Sequence, residues 1–271
     1  MKTATEKRID FRNNLKSHKI MVTPGVGDAL AARIAELAGM TCITMGGYSV
    51  SASRLGQPDV GLLSCSEMAE QLTGICNAVN IPVIADGDTG YGNALNVIRT
   101  EQMFEQAGAA CIFFEDQAWP KRCGHMDGKQ VISAEEHAQK IRAAVDARFD
   151  KETMIMSRTD SRAVYGIDDA IERSKRYADA GAEICFADGI GSREGLEKIR
   201  PGHGRQRCLH CGQYDRRRQD APHSGQGTGR NGILRGLLGL QRCIHHFQSP
   251  LRPVHRPRKE RHHRSYGRPD D

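Results

Sequence analysis

Two carboxylates, Asp86 and Asp88, stand two residues apart in a glycine-rich stretch at residues 84–92, where the apolar run 81–84 ends. Residues i and i+2 at a strand end converge on one side of the chain, so both carboxylates can face the same point. Clustered carboxylates repel each other, which makes them suitable ligands for a hard divalent cation such as Mg²⁺. The glycines permit sharp turns and the close approach of a ligand. Taken alone, the stretch also fits a polar turn that ends a strand.

A second group of chemically useful residues is the pentapeptide Lys-Arg-Cys-Gly-His at residues 121–125, in a long loop. The cationic neighbours Lys121, Arg122 and His125 place the Cys123 thiol in a positive field, which lowers the pKa of a thiol. We therefore predict that Cys123 exchanges a proton near neutral pH, with Lys121 and His125 in catalytic roles beside it. An ordinary loop cysteine is the alternative.

Apolar runs alternate with amphipathic segments six times along the chain, and polar residues gather after each run. This pattern predicts an α/β protein with a parallel sheet, and function at successive strand ends favours a (β/α)₈ TIM-type barrel. A doubly wound sheet is the runner-up, although no glycine-rich phosphate fingerprint follows the first strand. The predicted strands lie at 19–25, 41–45, 81–84, 110–116, 154–158 and 183–188, and the predicted helices at 4–19, 28–37, 95–107, 133–148, 168–180 and beyond Ser66.

In a barrel, the polar residues at these strand ends would surround one mouth. Several acids with one arginine suggest a metal and an anionic substrate, because an arginine holds a carboxylate through a two-pronged hydrogen bond. A salt bridge between Arg158 and Asp160 is the alternative for that arginine. The strand-end residues are Gly46, Gly47, Asp86, Asp88, Glu115, Arg158 and Asp188.

Composition indicates a soluble protein, which we expect to be cytoplasmic. The formal net charge is +6, no apolar run is long enough to cross a membrane, and the N-terminus has no apolar signal region. The nine cysteines are scattered without framework spacing, so we expect reduced thiols rather than disulfides.

Three motifs together resemble the isocitrate lyase/phosphoenolpyruvate mutase superfamily: Asp-Gly-Asp-Thr-Gly-Tyr-Gly at 86–92, Lys-Arg-Cys-Gly-His at 121–125 and Ser-Arg-Thr-Asp at 157–160. The resemblance extends from about residue 8 to residue 200, and the cysteine-containing loop is its most specific sign. Cysteine at that position is typical of the carbon–carbon lyase branch, whereas phosphonomutases and some decarboxylases of the superfamily carry other residues there.

The resemblance implies a Mg²⁺-dependent cleavage, with Mn²⁺ as a possible substitute, of a 2-hydroxy di- or tricarboxylate of the 2,3-dimethylmalate or 2-methylisocitrate type. Pyruvate and a second carboxylate would be the products, and a homotetramer is expected of the family. The resemblance assigns Asp86 as the direct metal ligand, and Asp59, Asp88 and Glu115 as the residues that hold the metal's water shell. It assigns the turn at Gly46, Gly47 and Tyr48 to binding of the keto-acid carboxylate. It further assigns Arg158 and Asp188 to substrate binding and Cys123 to proton donation.

Three positions depart from the family pattern. Gly46 stands where relatives often have serine, Thr44 where methylisocitrate and isocitrate lyases carry tyrosine, and Asp188 where related lyases have glutamate. The tyrosine replacement favours a smaller dicarboxylate, such as one of the dimethylmalate type.

The character of the chain changes after about residue 200. Residues 201–271 hold 14 Arg, one Lys and eight His against five acids, and they show little apolar periodicity. We therefore divide the chain into a barrel domain at 1–200 and a basic tail at 201–271. A shifted frame of residues 208–222 can encode Asn-Met-Ile-Asp-Gly-Gly-Lys-Thr-Pro, which resembles the loop after the family's seventh strand. We infer a frame slip near residue 200, and expect an incomplete barrel after the sixth strand with low stability and weak activity.

Three other functions fit parts of the sequence. Within the superfamily, these are oxaloacetate decarboxylase and carboxyphosphonoenolpyruvate phosphonomutase, and Cys123 discriminates against them. Outside it, the arginine-rich tail suggests nucleic-acid binding, but the tail lacks interleaved aromatics, so we expect neither a nucleic-acid nor a membrane partner.

Overall fold

The computed structural model describes residues 1–17, 21–124, 126, 128–190, 209–214 and 240–244, the last two ranges as backbone only. The helices are α1 (Ala4–Lys16), α2 (Ala29–Leu37), α3 (Gly47–Val50), α4 (Cys65–Ala78), α5 (Ala94–Gln106), α6 (Ala134–Ala147), α7 (Arg162–Tyr165) and α8 (Ile167–Asp179). The strands are β1 (Met21–Val26), β2 (Ile43–Met45), β3 (Val83–Asp86), β4 (Cys111–Glu115), β5 (Met154–Thr159), β6 (Ile184–Ala187), β7 (Leu209–Tyr214) and β8 (Leu240–Ile244).

Polar caps fix where the longer helices begin. The side chains of Thr3 and Ser64 accept hydrogen bonds from the backbone N–H groups of Glu6 and Glu67, and those glutamates bond back to the cap residues. Ser133 accepts from the Glu136 N–H in the same way at the start of α6. Each cap satisfies a backbone donor that the first helical turn leaves free.

The strands form one closed barrel in chain order, β1 to β8. β1 to β7 pair in parallel, and the helices lie between successive strands as the alternating pattern predicts. The six predicted strand–helix units are confirmed, and the sequential strand order excludes the doubly wound alternative.

The regular parallel alternation of strand and helix extends as far as β6, as predicted, and the described strands β7 and β8 lie between β6 and β1. β8 runs antiparallel to both of its neighbours, which a regular (β/α)₈ barrel does not have. The added pair gives partners to the N–H and C=O groups of two strands that would otherwise be edges. Most of the predicted tail at 201–271 lies outside the described residues.

Alternation along each strand separates two apolar cores. One set of strand residues packs outward against the helices, among them Val83, Ala85, Ile112 and Phe114. The residues that alternate with them in sequence fill the barrel interior. The interior cluster contains Phe11, Leu15, Met21, Cys42, Ile84, Ala110, Cys111, Phe113, Met154, Met156, Ile184 and Phe186. Since Phe11 and Leu15 belong to α1, that helix covers the amino ends of the strands and leaves the carboxyl ends as the mouth.

The described residues contain no helix long and apolar enough to cross a lipid bilayer. The cysteines with described side chains form no disulfide bonds, in agreement with the sequence expectation; they are Cys42, Cys65, Cys76, Cys111, Cys123 and Cys185.

We expect Phe11→Ala to lower the free energy of unfolding by about 3–5 kcal/mol, because Phe11 is fully buried at the base of the barrel. Ile9→Ala on the same helix is the control, since that side chain is 42% exposed and its truncation leaves no cavity. Urea unfolding of both variants measures the difference, and equal losses would show that α1 does not seal the interior.

Candidate active site

The alternation that fills the barrel also lines its mouth. Going up the interior face of each strand, Ile84 is followed by Asp86, Phe113 by Glu115, Met156 by Arg158, and Phe186 by Asp188. The apolar layer therefore lies directly beneath a charged layer at the carboxyl ends of β3 to β6. The charged layer is Asp86, Glu115, Arg158 and Asp188, three of them under 7% exposed.

The turn after β3 folds back on itself and brings a second acid beside Asp86. Asp88 adopts a left-handed backbone conformation, with φ of 49°, which aspartate tolerates better than most residues. Its N–H donates to Asp86 Oδ1 at 3.0 Å, and the N–H of Gly47 donates to Asp86 Oδ2 at 2.8 Å. The convergence of Asp86, Asp88 and Gly47 at the mouth therefore agrees with the sequence prediction.

Lys121 reaches into this acid cluster. Its Nζ lies 2.6 Å from Asp59 Oδ1 and 2.5 Å from Asp88 Oδ1, and the residue is only 3% exposed. A side chain at Gly47 would place a Cβ 3.2 Å from this ammonium and 3.3 Å from Asp86 Oδ2. From the sequence, Lys121 is expected to create a positive field around Cys123. In the structure, its ammonium instead lies between Asp59 and Asp88 and neutralises part of their charge.

Burial and mutual repulsion set the proton affinities of the cluster. Burial raises the pKa of Asp86 to about 6, with Asp88 adding to the rise. Burial also raises the pKa of Asp59, and it raises the pKa of Glu115 well above the ordinary value. For Lys121, burial opposes the charge, but the surrounding carboxylates outweigh it and raise the pKa. Lys121 therefore neutralises part of the negative charge of these acids.

Arg158 is the centre of a second charged group. Its Nε and Nη2 donate to the two oxygens of Asp160 at 2.9 and 3.0 Å. The alternative interpretation, a salt bridge between Arg158 and Asp160, is therefore confirmed. Nη1 lies 3.2 Å from Glu115 Oε2, and Nη2 lies 3.4 Å from Asp188 Oδ2. Burial works against ionisation of Asp160, but Arg158 and Lys129 hold the pKa of Asp160 well below its usual range.

Sequence reasoning missed Lys129 and Asp116. Lys129 carries no motif signal, because it follows the pentapeptide in the same loop and only the fold brings it to the mouth. Asp116 is fully buried and accepts from Thr159 Oγ1 at 2.7 Å, Tyr177 OH at 2.8 Å and the Asp160 N–H at 3.0 Å. Its place directly after Glu115 at a strand end was the available signal.

The loop with the predicted proton donor lies against the second charged group. A Cβ at Gly124 would be 2.7 Å from both Arg158 Nη2 and Asp188 Oδ2, so only glycine fits there without a shift. Cys123, the preceding residue, is half-buried and forms no disulfide bond. His125 lies outside the described residues. Tyr48 is half-buried on α3, and the space beside Gly46 is open.

The donor set suits a hard cation, although the described residues show no three acids, imidazoles or thiols positioned to ligate a metal together. Glu115 Oε1 is buried without a hydrogen-bond partner among the described residues, and burial raises the pKa of Asp59, Asp86 and Glu115. A cation bound among these acids would favour their charged forms, so the residues present fit one.

Known proteins are similar to this chain over the residues that form the site. A family model described as phosphoenolpyruvate phosphomutase matches residues 11–204. The chain is 48% identical over 189 residues to 2,3-dimethylmalate lyase of Eubacterium barkeri, covering 70% of this chain and 65% of that protein. It is 48% identical over 193 residues to chloroplastic carboxyvinyl-carboxyphosphonate phosphorylmutase of Arabidopsis thaliana, covering 70% and 57%. The chain therefore spans less than two thirds of the length of these relatives.

Solved structures agree with the sequence matches. A crystal structure of 2,3-dimethylmalate lyase superposes with a TM-score of 0.69 at 37% identity, covering 73% of this chain and 66% of that one. Phosphonopyruvate hydrolase in complex with oxalate and Mg²⁺ gives a TM-score of 0.68 at 31% identity, covering 77% and 72%.

We expect Lys121→Met to destabilise the metal-free protein by about 3–5 kcal/mol at pH 8, since it leaves buried carboxylates without their cation. The loss should be smaller at pH 5, because protonation of Asp86, with a pKa of about 6, then relieves the repulsion. Urea unfolding at the two pH values measures this, with Lys175→Met as a control at an exposed ion pair on α8. An equal loss at both pH values would contradict the assigned role.

Proposed function

Because this chain belongs to the phosphoenolpyruvate mutase/isocitrate lyase superfamily, we propose that it is a divalent-metal-dependent lyase acting on a 2-hydroxy dicarboxylate. The proposed reaction cleaves a carbon–carbon bond to give pyruvate and a second carboxylate, with 2,3-dimethylmalate as the preferred type of substrate and 2-methylisocitrate as the larger alternative. The observation that carries the proposal is the charged layer at the mouth, where buried acids stand beside Arg158 and the Cys123–Gly124 turn.

The acids would hold Mg²⁺, or Mn²⁺ in its place, with Asp86 as the direct ligand and Asp59, Asp88 and Glu115 acting through water. The bound cation would polarise the oxygens of the 2-hydroxy acid and stabilise the enolate that develops on cleavage. Gly47 supports this role, because its N–H fixes one Asp86 oxygen and its missing side chain leaves room at the cluster.

Arg158 would bind a carboxylate of the substrate. Among the described residues its Nε and Nη2 donate hydrogen bonds to Asp160, and Nη1 makes an ion-pair contact with Glu115, which leaves an N–H on Nη1 for a ligand. Because Asp160 holds one edge of the guanidinium through two hydrogen bonds, Arg158 keeps one orientation and loses little conformational freedom when substrate binds.

Cys123 would donate the proton that completes the reaction. Cleavage leaves the electron pair of the broken bond on a carbon next to a carboxylate, and the thiol is on the loop whose next residue touches Arg158 and Asp188. A thiol in that place can protonate the carbanion while the loop keeps out water that would compete.

Phosphonomutase chemistry is the second candidate, because the Arabidopsis phosphorylmutase is as similar in identity as the lyase. Oxaloacetate decarboxylation is a related option. Neither reaction requires a thiol acid, so the effect of replacing Cys123 separates these functions from the lyase.

We expect Cys123→Ser to reduce pyruvate release from 2,3-dimethylmalate by about 10²–10⁴-fold, which is the usual contribution of a positioned general acid. Cys76→Ser is the control, since that thiol lies on α4 beside Lys7 of α1, away from the mouth. A lactate dehydrogenase-coupled assay measures both, with 2-methylisocitrate as the second substrate. Full turnover of Cys123→Ser would contradict the role of the thiol.

The affinity for Mn²⁺ should fall about tenfold for each pH unit below about pH 6, because Asp86 must be deprotonated to bind metal and its pKa is about 6. Titration of Mn²⁺ from pH 5 to pH 8, followed by electron paramagnetic resonance, measures this. Asp86→Asn should abolish binding, and Asp10→Asn on α1 should leave it unchanged. An affinity that is independent of pH across this range would rule out Asp86 as the ligand.

A further inference from the structure

Lys129 joins two acids of the mouth that lie on different strands. Its Nζ is 2.8 Å from Asp160 Oδ1, beyond the end of β5, and 3.1 Å from Asp188 Oδ2, beyond the end of β6. The side chain of Lys129 is only 5% exposed, and those of the two acids are 2% exposed or less. Lys129 is therefore a buried cation between two carboxylates at the mouth of the barrel.

A short paired stem sets the position of this lysine. Gln117 forms a β-bridge with Val131, the Ala118 N–H donates to the Gln130 carbonyl at 2.8 Å, and the Ile132 N–H donates to the Asp116 carbonyl at 2.9 Å. Lys129 is the next residue beyond the stem. Because the stem is tied to the buried Asp116, the backbone of Lys129 has a fixed place above the two acids.

Charge balance gives Lys129 a role beyond packing. Three buried carboxylates, Glu115, Asp160 and Asp188, surround Arg158. Lys121 also offsets the charge of Glu115, so without Lys129 the guanidinium would be the main cation for Asp160 and Asp188. Lys129 also holds Asp188 Oδ2, which leaves Asp188 Oδ1 buried without a partner among the described residues. The lysine therefore fixes which oxygen of Asp188 is free and how firmly Asp160 orients Arg158.

We propose that Lys129 is a positioning residue that cross-links Asp160 and Asp188 and thereby keeps the free N–H of Arg158 directed at the carboxylate of the ligand. Lys129 itself does not touch the ligand. The raised pKa of Lys129, where both carboxylates outweigh the effect of burial, agrees with a permanently charged cross-link. The proposal rests on the proposed function, because it requires a carboxylate ligand at the mouth.

Direct binding of oxalate in saturating Mg²⁺ tests this by calorimetry, without reference to turnover. Lys129→Met should weaken oxalate binding by about 10–100-fold, the usual effect of removing a group that orients a ligand-binding residue. Lys129→Arg should recover most of the loss, since a cation again spans the two acids. Mn²⁺ affinity should not change in either variant, because Asp86 lies in the other cluster.

Lys7→Met is the matched control, since Lys7 is also a buried lysine but donates to the Cys76 carbonyl, with its residue on α1 at the opposite end of the barrel. It should leave oxalate binding unchanged. If Lys129→Met binds oxalate as the wild type does, or loses Mn²⁺ and oxalate binding together, the positioning role is wrong. If the wild type itself does not bind oxalate, the proposed carboxylate site is wrong and the role of Lys129 falls with it.

Discussion

The structure depends on the balance between buried carboxylates and the few cations that reach them. Like charges in a low-dielectric interior repel strongly, so acids at the barrel mouth are tolerated only with compensation. Lys121 offsets part of the charge of Asp59 and Asp88, while Arg158 and Lys129 offset that of Asp160 and Asp188. Burial, with a smaller effect from Asp88, still raises the pKa of Asp86 to about 6, so its charged form remains disfavoured. A divalent cation is the group that would complete the compensation.

The two clusters are tied together by one loop and one arginine. Lys121 and Lys129 come from the same loop and enter different clusters, and Arg158 contacts Glu115 of the first and Asp160 of the second. The proposed metal and carboxylate sites therefore lie next to each other, and the loop supplies one lysine to each cluster. Gly124 lies between the two lysines in this loop, and a side chain there would collide with Arg158 and Asp188.

Hydrophobic periodicity was enough to predict the first six strands and their helices, because each element buries one face. It placed Asp86, Glu115, Arg158 and Asp188 together, since parallel strand ends meet at one edge. It did not find Lys129, because a loop lysine has no periodic signal and its partners are distant in sequence. The closing strands β7 and β8 were missed for a similar reason: the segment lacks the apolar pattern of the earlier strands. The family match ends at residue 204, near the position of the inferred frame slip.

The central claim is that the acid cluster after β3 binds a divalent cation through Asp86. Crystals grown with Mn²⁺ and oxalate, with diffraction data collected at the manganese absorption edge, would test it most directly. We predict one anomalous peak bonded to a carboxylate oxygen of Asp86, with oxalate on the metal and Asp59, Asp88 and Glu115 reached through water. The absence of a peak there, or a peak bonded to Asp160 or Asp188 instead, would contradict it.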